Sequence, residues 1–121
     1  MDKEAWLELG DVYMEHMNYE KALFCFEEVL LIEPDNIANM IRIAELYYTK
    51  GRTEENLTYA RKYFCFVLTC DTNNYRALHG LKQTCKILLG LKKDNSISAE
   101  LLEFANRKIK EIKNLPKLKY E

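Results

Sequence analysis

The chain is 121 residues long, 48% hydrophobic and 31% charged, with a formal net charge of −1. A chain of that length makes one domain able to bury roughly two thirds of its unfolded surface, and its composition is that of a globular protein rather than a disordered one. A charge near zero lacks the basic footprint of a nucleic-acid binder, and no apolar run approaches the roughly 18 residues that a spanning helix needs, so neither nucleic acid nor a direct membrane span is expected. Met1-Asp2-Lys3-Glu4 does not read as a secretory leader, which points to the cytoplasm. Cys25, Cys65, Cys70 and Cys85 form no C-x-x-C pair. They are expected to be free thiols packed as small hydrophobes in a reducing compartment, with no metal and no cofactor.

In chain order, the first segment sets the pattern. Trp6, Leu9, Gly10 and Tyr13 lie on one face of a first helix, and Ala22, Phe26 and Val29 answer them from a second. Gly10 and Ala22 are small so that the helices can approach, Asn18 is the expected N-cap of the second helix, and Pro34 stops it because it has no N–H and restricts the residue before it. These are the signature spacings of a tetratricopeptide repeat. The fold expected is all-α: three helical hairpins in a right-handed α-α superhelix, one domain over residues 1–115 with repeats of about 3–36, 37–74 and 75–114, and a frayed basic tail over 116–121. Trp6, Tyr13, Phe26, Tyr47, Phe64, Leu78 and Leu81 are the expected buried residues.

In the second hairpin Met40, Ile43, Ala44 and Tyr47 repeat the first helix at an offset of 34, whereas Ala60, Phe64 and Val67 repeat the second at an offset of 38. The four-residue difference falls at Gly51-Arg52-Thr53-Glu54, where it is expected to lengthen the turn. Thr72 replaces the terminal proline, and Asp71 to Asn74 supply a polar turn instead. In the third hairpin Leu78, Leu81 and Cys85 point inward, and Lys82 stands where a small residue is expected, which predicts a looser crossing. Lys92 to Ser96 reads as a polar loop. Ile97-Ser98 reads as a capped helix start with an Ile97 to Leu102 staple, and Leu101, Leu102, Ala105, Ile109 and Ile112 form the stripe of the last helix.

No Gly-rich phosphate loop, H-E-x-x-H or G-x-S-x-G occurs, and neither His16 nor His79 has a catalytic neighbour, so no enzyme is expected. The register of the repeat assigns a concave groove to Glu4, Leu7, Asp11 and Met14, then Ala38, Ile41, Glu45 and Tyr48, then Arg76, His79, Gln83 and Lys86. Chaperone-binding members of the class hold a peptide's terminal carboxylate with a Lys and two Asn residues; those places here are Leu7, Asp11 and Arg42, so that clamp is absent. On the second helix of the second hairpin, Tyr59, Tyr63, Phe66 and Cys70 form a second stripe opposite the core stripe. It is either buried against a neighbouring hairpin or an outer patch that docks a partner, extended by Phe24 and Leu31 on the first hairpin.

Several strings resemble the family of subunit 2 of the ER membrane protein complex. They are Ala5-Trp6 with Glu8-Leu9, Tyr19 with Lys21-Ala22 and Phe24-Cys25, Ala44-Glu45 with Tyr48-Thr49 and Gly51, and Glu55-Asn56-Leu57 with Arg61-Lys62-Tyr63-Phe64. Asn74 with Arg76-Ala77-Leu78 and Gly80-Leu81, and Lys92-Lys93-Asp94-Asn95, complete the match over roughly Ala5 to Asn95. The resemblance implies a non-enzymatic scaffold, peripheral at the cytosolic face of the endoplasmic reticulum, in a complex that inserts transmembrane proteins. It covers the later part of a chain about twice as long. Two other readings stay open: another tetratricopeptide adaptor of the cochaperone kind, and the repeat region of a larger enzyme such as a glycosyltransferase. Charge adds one more expectation. Residues 1–36 carry a net −8, residues 37–74 +1 and residues 75–121 +6, so either surface charge drifts by chance or the basic C-terminal part meets anionic lipid or an acidic partner subunit.

Overall fold

Short polar residues start the helices. The side-chain oxygen of Asp2, Asn18, Asn36, Thr53 and Asn74 each accepts the backbone N–H three residues on, which satisfies one of the orphan donors of the first turn. The computed structural model describes residues 1–91 and 96–114. Its helices are α1 (Lys3–Glu15), α2 (Tyr19–Ile32), α3 (Ile37–Lys50), α4 (Glu54–Cys70), α5 (Tyr75–Gly90) and α6 (Ser96–Lys113). Each helix packs on its neighbours in sequence, and α3 also reaches α5, which is the stacking of a tetratricopeptide solenoid. The turn after α1 closes on Met17 at φ 57°, with the Asn18 N–H donating to the Tyr13 carbonyl at 2.8 Å and the Met17 N–H to Met14 at 2.9 Å.

The core has two linked parts. Ala22, Leu23 and Phe26 of α2 meet Ile43 and Leu46 of α3 in one, and Met40, Ala44, Phe64, Val67, Leu78, Leu81, Ala105 and Ile109 form the other from α3 to α6. Phe26, Phe64, Leu78 and Leu81 are buried as expected. Trp6, Tyr13 and Tyr47 are only half-buried, Tyr13 and Tyr47 packing against the first part of the core from its margin.

Two expectations are corrected. The insertion does not lengthen the turn: residues 16–18 join α1 to α2 and residues 51–53 join α3 to α4. The four extra residues are helical instead, with α3 one residue longer after Tyr47 than α1 after Tyr13, and α4 three residues longer before Ala60 than α2 before Ala22. Thr53 caps an N-terminus whose next residues, Glu54 and Glu55, suit a first turn. The close approach of α5 is to α4 of the preceding hairpin, at Gly80, where a Cβ would stand inside contact distance of the Phe64 ring. Second, Ser98 is no cap. It is buried inside α6, where its Oγ accepts from Arg61 Nη1 at 2.8 Å, and Ile97 is exposed rather than stapled. Residues 92–95 of the expected polar loop and the tail 116–121 lie outside the described residues.

Candidate interaction surfaces

The groove has two halves that differ in how an aromatic ring is met. In the half between α1 and α3, the Arg42 guanidinium lies 4.8 Å from the Phe26 ring centre and pairs with Asp11 at 3.3 Å. These groups, with Leu7 and Ala38, leave a cavity of about 190 Å³. Asn39 beside it is buried; its Nδ2 donates to the Phe26 carbonyl at 2.9 Å and its Oδ1 has no partner among the described residues. In the half between α3 and α5, Arg76 donates to both oxygens of Glu45, at 2.7 and 2.6 Å. Behind that pair lies a larger cavity of about 430 Å³, walled by Tyr48, His79 and Gln83 with Phe64 and Gly80 at its floor.

Of the residues that register assigned to the groove, Glu45, Tyr48, Arg76, His79 and Gln83 therefore surround one cavity, and Leu7 and Asp11 line the other. Lys86 is exposed one turn past Gln83, and Met14 is half-buried against the first core cluster. Ile41 is corrected: it is buried within the second cluster and belongs to the core. His79 meets Tyr75 edge-on at 4.4 Å. Burial, then Lys82 and Lys113, hold its imidazole below the ordinary histidine value. Gly80 is the groove residue that register missed. Its sequence signal is a lone glycine inside an apolar helical pattern, which marks a close approach.

The outer stripe splits. Tyr63 is not exposed; it is half-buried against both core clusters and stacks on Tyr47 at 6.0 Å. Tyr59, 42% exposed, also stacks with that ring, at 5.1 Å, and the Tyr47 hydroxyl donates to Glu27 Oε2 at 3.2 Å. Burial and the nearby Glu27 carboxylate push the phenols of Tyr47 and Tyr63 up, so both stay neutral donors. Phe66, Phe24 and Leu31 remain outward at 54%, 56% and 74% exposure, and Phe24 meets Trp6 edge-on at 5.8 Å. Cys70 is exposed at the end of α4, while Cys25 and Cys85 are buried. Burial pushes the Cys85 thiol up to about 11, which keeps it protonated and inert at neutral pH.

The tetratricopeptide repeat profile matches residues 4–36. Subunit 2 of the ER membrane protein complex of Xenopus tropicalis is 45% identical over 80 residues, 66% of this chain and 27% of that protein. Subunit 2-B of the Xenopus laevis complex is 40% identical over 101 residues, 78% of this chain and 34% of that protein. The chain thus spans about a third of the length of these relatives. Among solved structures, the first tetratricopeptide domain of Spaghetti (RPAP3) bound to the HSP90 peptide SRMEEVD superposes with a TM-score of 0.55 at 15% identity, over 88% of this chain and 94% of that one. At that identity the likeness is one of fold. The chain is a tetratricopeptide-repeat solenoid whose relatives are subunit 2 chains of the ER membrane protein complex.

Proposed function

We propose that this chain is a non-enzymatic scaffold that joins other protein subunits of an ER membrane protein complex, from the cytosolic face of the endoplasmic reticulum. The observation that carries the reading is identity of 40–45% to subunit 2 over 66% to 78% of the chain, which extends well past the single repeat matched by the family profile. Among the described residues no helix is long and apolar enough to cross a membrane, which accords with attachment through protein contacts. The exposed side chains of Phe24, Phe66 and Leu31 are the proposed outer docking residues, since exposed aromatics are favoured binding anchors; the packing of Tyr63 on Tyr47 argues against its taking part. A cochaperone role is disfavoured by Asp11, which an incoming carboxylate would meet, and by its pairing with Arg42.

The test is quantitative affinity capture of the tagged chain from its own cells. Recovery of the complex's other subunits, reduced about tenfold by Phe24→Ala with Phe66→Ala while helical content is kept, supports the reading. Recovery of none of them from intact membranes overturns it. Recovery unchanged by the double substitution moves the docking surface off the outer row.

A further inference from the structure

Phe24 and Leu31 stand seven residues apart on α2, so they project from one edge of the helix about 10 Å apart along its axis. Both point away from the core stripe of Ala22, Phe26 and Val29 and remain exposed. The Trp6 ring meets Phe24 edge-on and widens this apolar edge toward α1. Glu20 lies four residues before Phe24, and Glu28 lies four after it and three before Leu31, so helical register sets both carboxylates beside the apolar pair. Neither enters an ion pair among the described residues. The two bases of residues 1–36 are engaged elsewhere: Lys3 pairs with Glu33 at 2.8 Å and with Glu4 at 3.8 Å, and Lys21 lies 5.7 Å from the Tyr13 ring centre.

Phe66 is exposed in the same way on α4, but the residue one turn before it is Lys62, a base, and those one turn after it are Thr69 and Cys70. Of the three outer docking residues, Phe24 and Leu31 therefore share a helix face with unpaired acids and Phe66 does not. Two apolar anchors at heptad spacing, flanked by carboxylates without counterions, match the apolar stripe of an amphipathic helix whose flanking positions are lysine or arginine. Two copies of this chain laid with α2 against α2 would bring like charges together, so the face does not suit a symmetric dimer. We propose that the outer face of α2, at Glu20, Phe24, Glu28 and Leu31, docks a basic amphipathic helix of a partner protein. The inference deepens the scaffold reading and rests on its choice of outer residues. The groove between α1, α3 and α5 takes no part in it.

The probe is a fluorescein-labelled peptide of about 18 residues, long enough to be helical alone, with leucine at heptad spacing, lysine at the flanking positions and alanine elsewhere. Anisotropy with the whole chain measures binding, and amide shifts of Phe24, Glu28 and Leu31 locate it. A peptide of the same composition with its leucines dispersed around the helix should bind about tenfold more weakly, and a peptide with glutamate in place of lysine more weakly still. Glu20→Lys with Glu28→Lys should weaken the lysine peptide about tenfold and strengthen the glutamate peptide. Phe24→Ala should weaken the lysine peptide by a similar factor, and Leu31→Ser, at an exposed position, takes its place if Phe24→Ala loses helical content. Equal binding of the dispersed or the glutamate peptide, indifference to the charge reversal or to the apolar truncation, shifts confined to the groove around Arg42 or Gly80, or no binding at about millimolar peptide each overturns the proposal. Self-association abolished by Leu31→Ser also overturns it, by making a second copy the occupant. If the probe fails while the complex's other subunits are still captured, the basic-helix reading falls and the scaffold reading stands. If capture fails while the probe binds, the reverse holds.

Discussion

Phe26 and Phe64 hold the same place in successive repeats, yet they nest in opposite directions. Phe26 leans on Gly10 of its own hairpin, where an added Cβ would meet the ring at 2.5 Å, while Phe64 leans on Gly80 of the next hairpin. The reason lies in the partner helix. Ala44 carries a Cβ where Gly10 has none, so the ring of Phe64 finds its bare backbone in α5 instead. The consequence reaches the groove: where the ring turns inward to its own hairpin, an arginine covers it, and where it turns forward, the groove opens. One small-residue exchange between repeats therefore sets which half of the groove can admit a side chain.

The largest break in this comparison is Phe64→Ala. The ring is fully buried in the larger core cluster, and its loss should cost about 3–5 kcal/mol, read as a lowered denaturant midpoint at unchanged slope. Gly80→Ala is the sharper form. In an open helix that change would stabilise by up to about 1 kcal/mol, but here the added methyl meets a core ring with nowhere to retreat, so the net should be destabilising by about 1–3 kcal/mol. In a Phe64→Leu background the clash partner is gone, and Gly80→Ala should become neutral or stabilising. Additive effects in that double-mutant cycle would mean that Gly80 and Phe64 do not interact.

Arg42→Ala tests the covered half. The ion pair with Asp11 joins two side chains that are 44% and 59% exposed, so it contributes little, whereas the guanidinium over Phe26 is worth about 0.5–1 kcal/mol. The substitution should lower stability by about that amount, and Asp11→Ala should lower it by less. A coupling between the two beyond about 1 kcal/mol would make the ion pair, not the ring, the anchor of Arg42.

Much of this arrangement was legible from spacing, and the parts that were not have definite causes. The helix start at Asn18 follows from a local rule, a short polar side chain before an apolar period, and the structure has it as a cap. The extra turn of α4 reads as loop because Thr-Glu-Glu suits both a turn and a capped first turn, and only packing of Leu57 into the core decides between them. Period alone puts Tyr63 on a stripe that is either outer or buried; the stack on Tyr47 that draws it in involves a second helix. Gly80 escapes the repeat template, which puts the small residue at Lys82 and assumes that a ring nests in its own hairpin. The groove positions around Glu45, Tyr48 and His79 needed no such cross-helix information, since they follow from register on α3 and α5 alone.

The smallest expected effect is also the one that reads the open half most directly. Burial, helped by Lys82 and Lys113, holds His79 below its unfolded value of about 6.5. A histidine depressed in this way contributes stability that is fully present above that unfolded value and is lost as pH falls through the folded one, because the unfolded chain takes up the proton first. Melting temperatures followed from neutral to mildly acid pH should therefore fall more steeply in the parent chain than in His79→Gln. The groups facing the ring are Tyr75 on its own helix, Glu45 and Arg76 at the mouth, and the two lysines. Lys82→Ala should raise the value by less than full exposure would, since burial is the leading cause. Equal acid slopes in the parent chain and in His79→Gln would show that the ring is as hydrated in the folded chain as in the unfolded one, and burial in the open half would then contribute nothing to the pH dependence of stability.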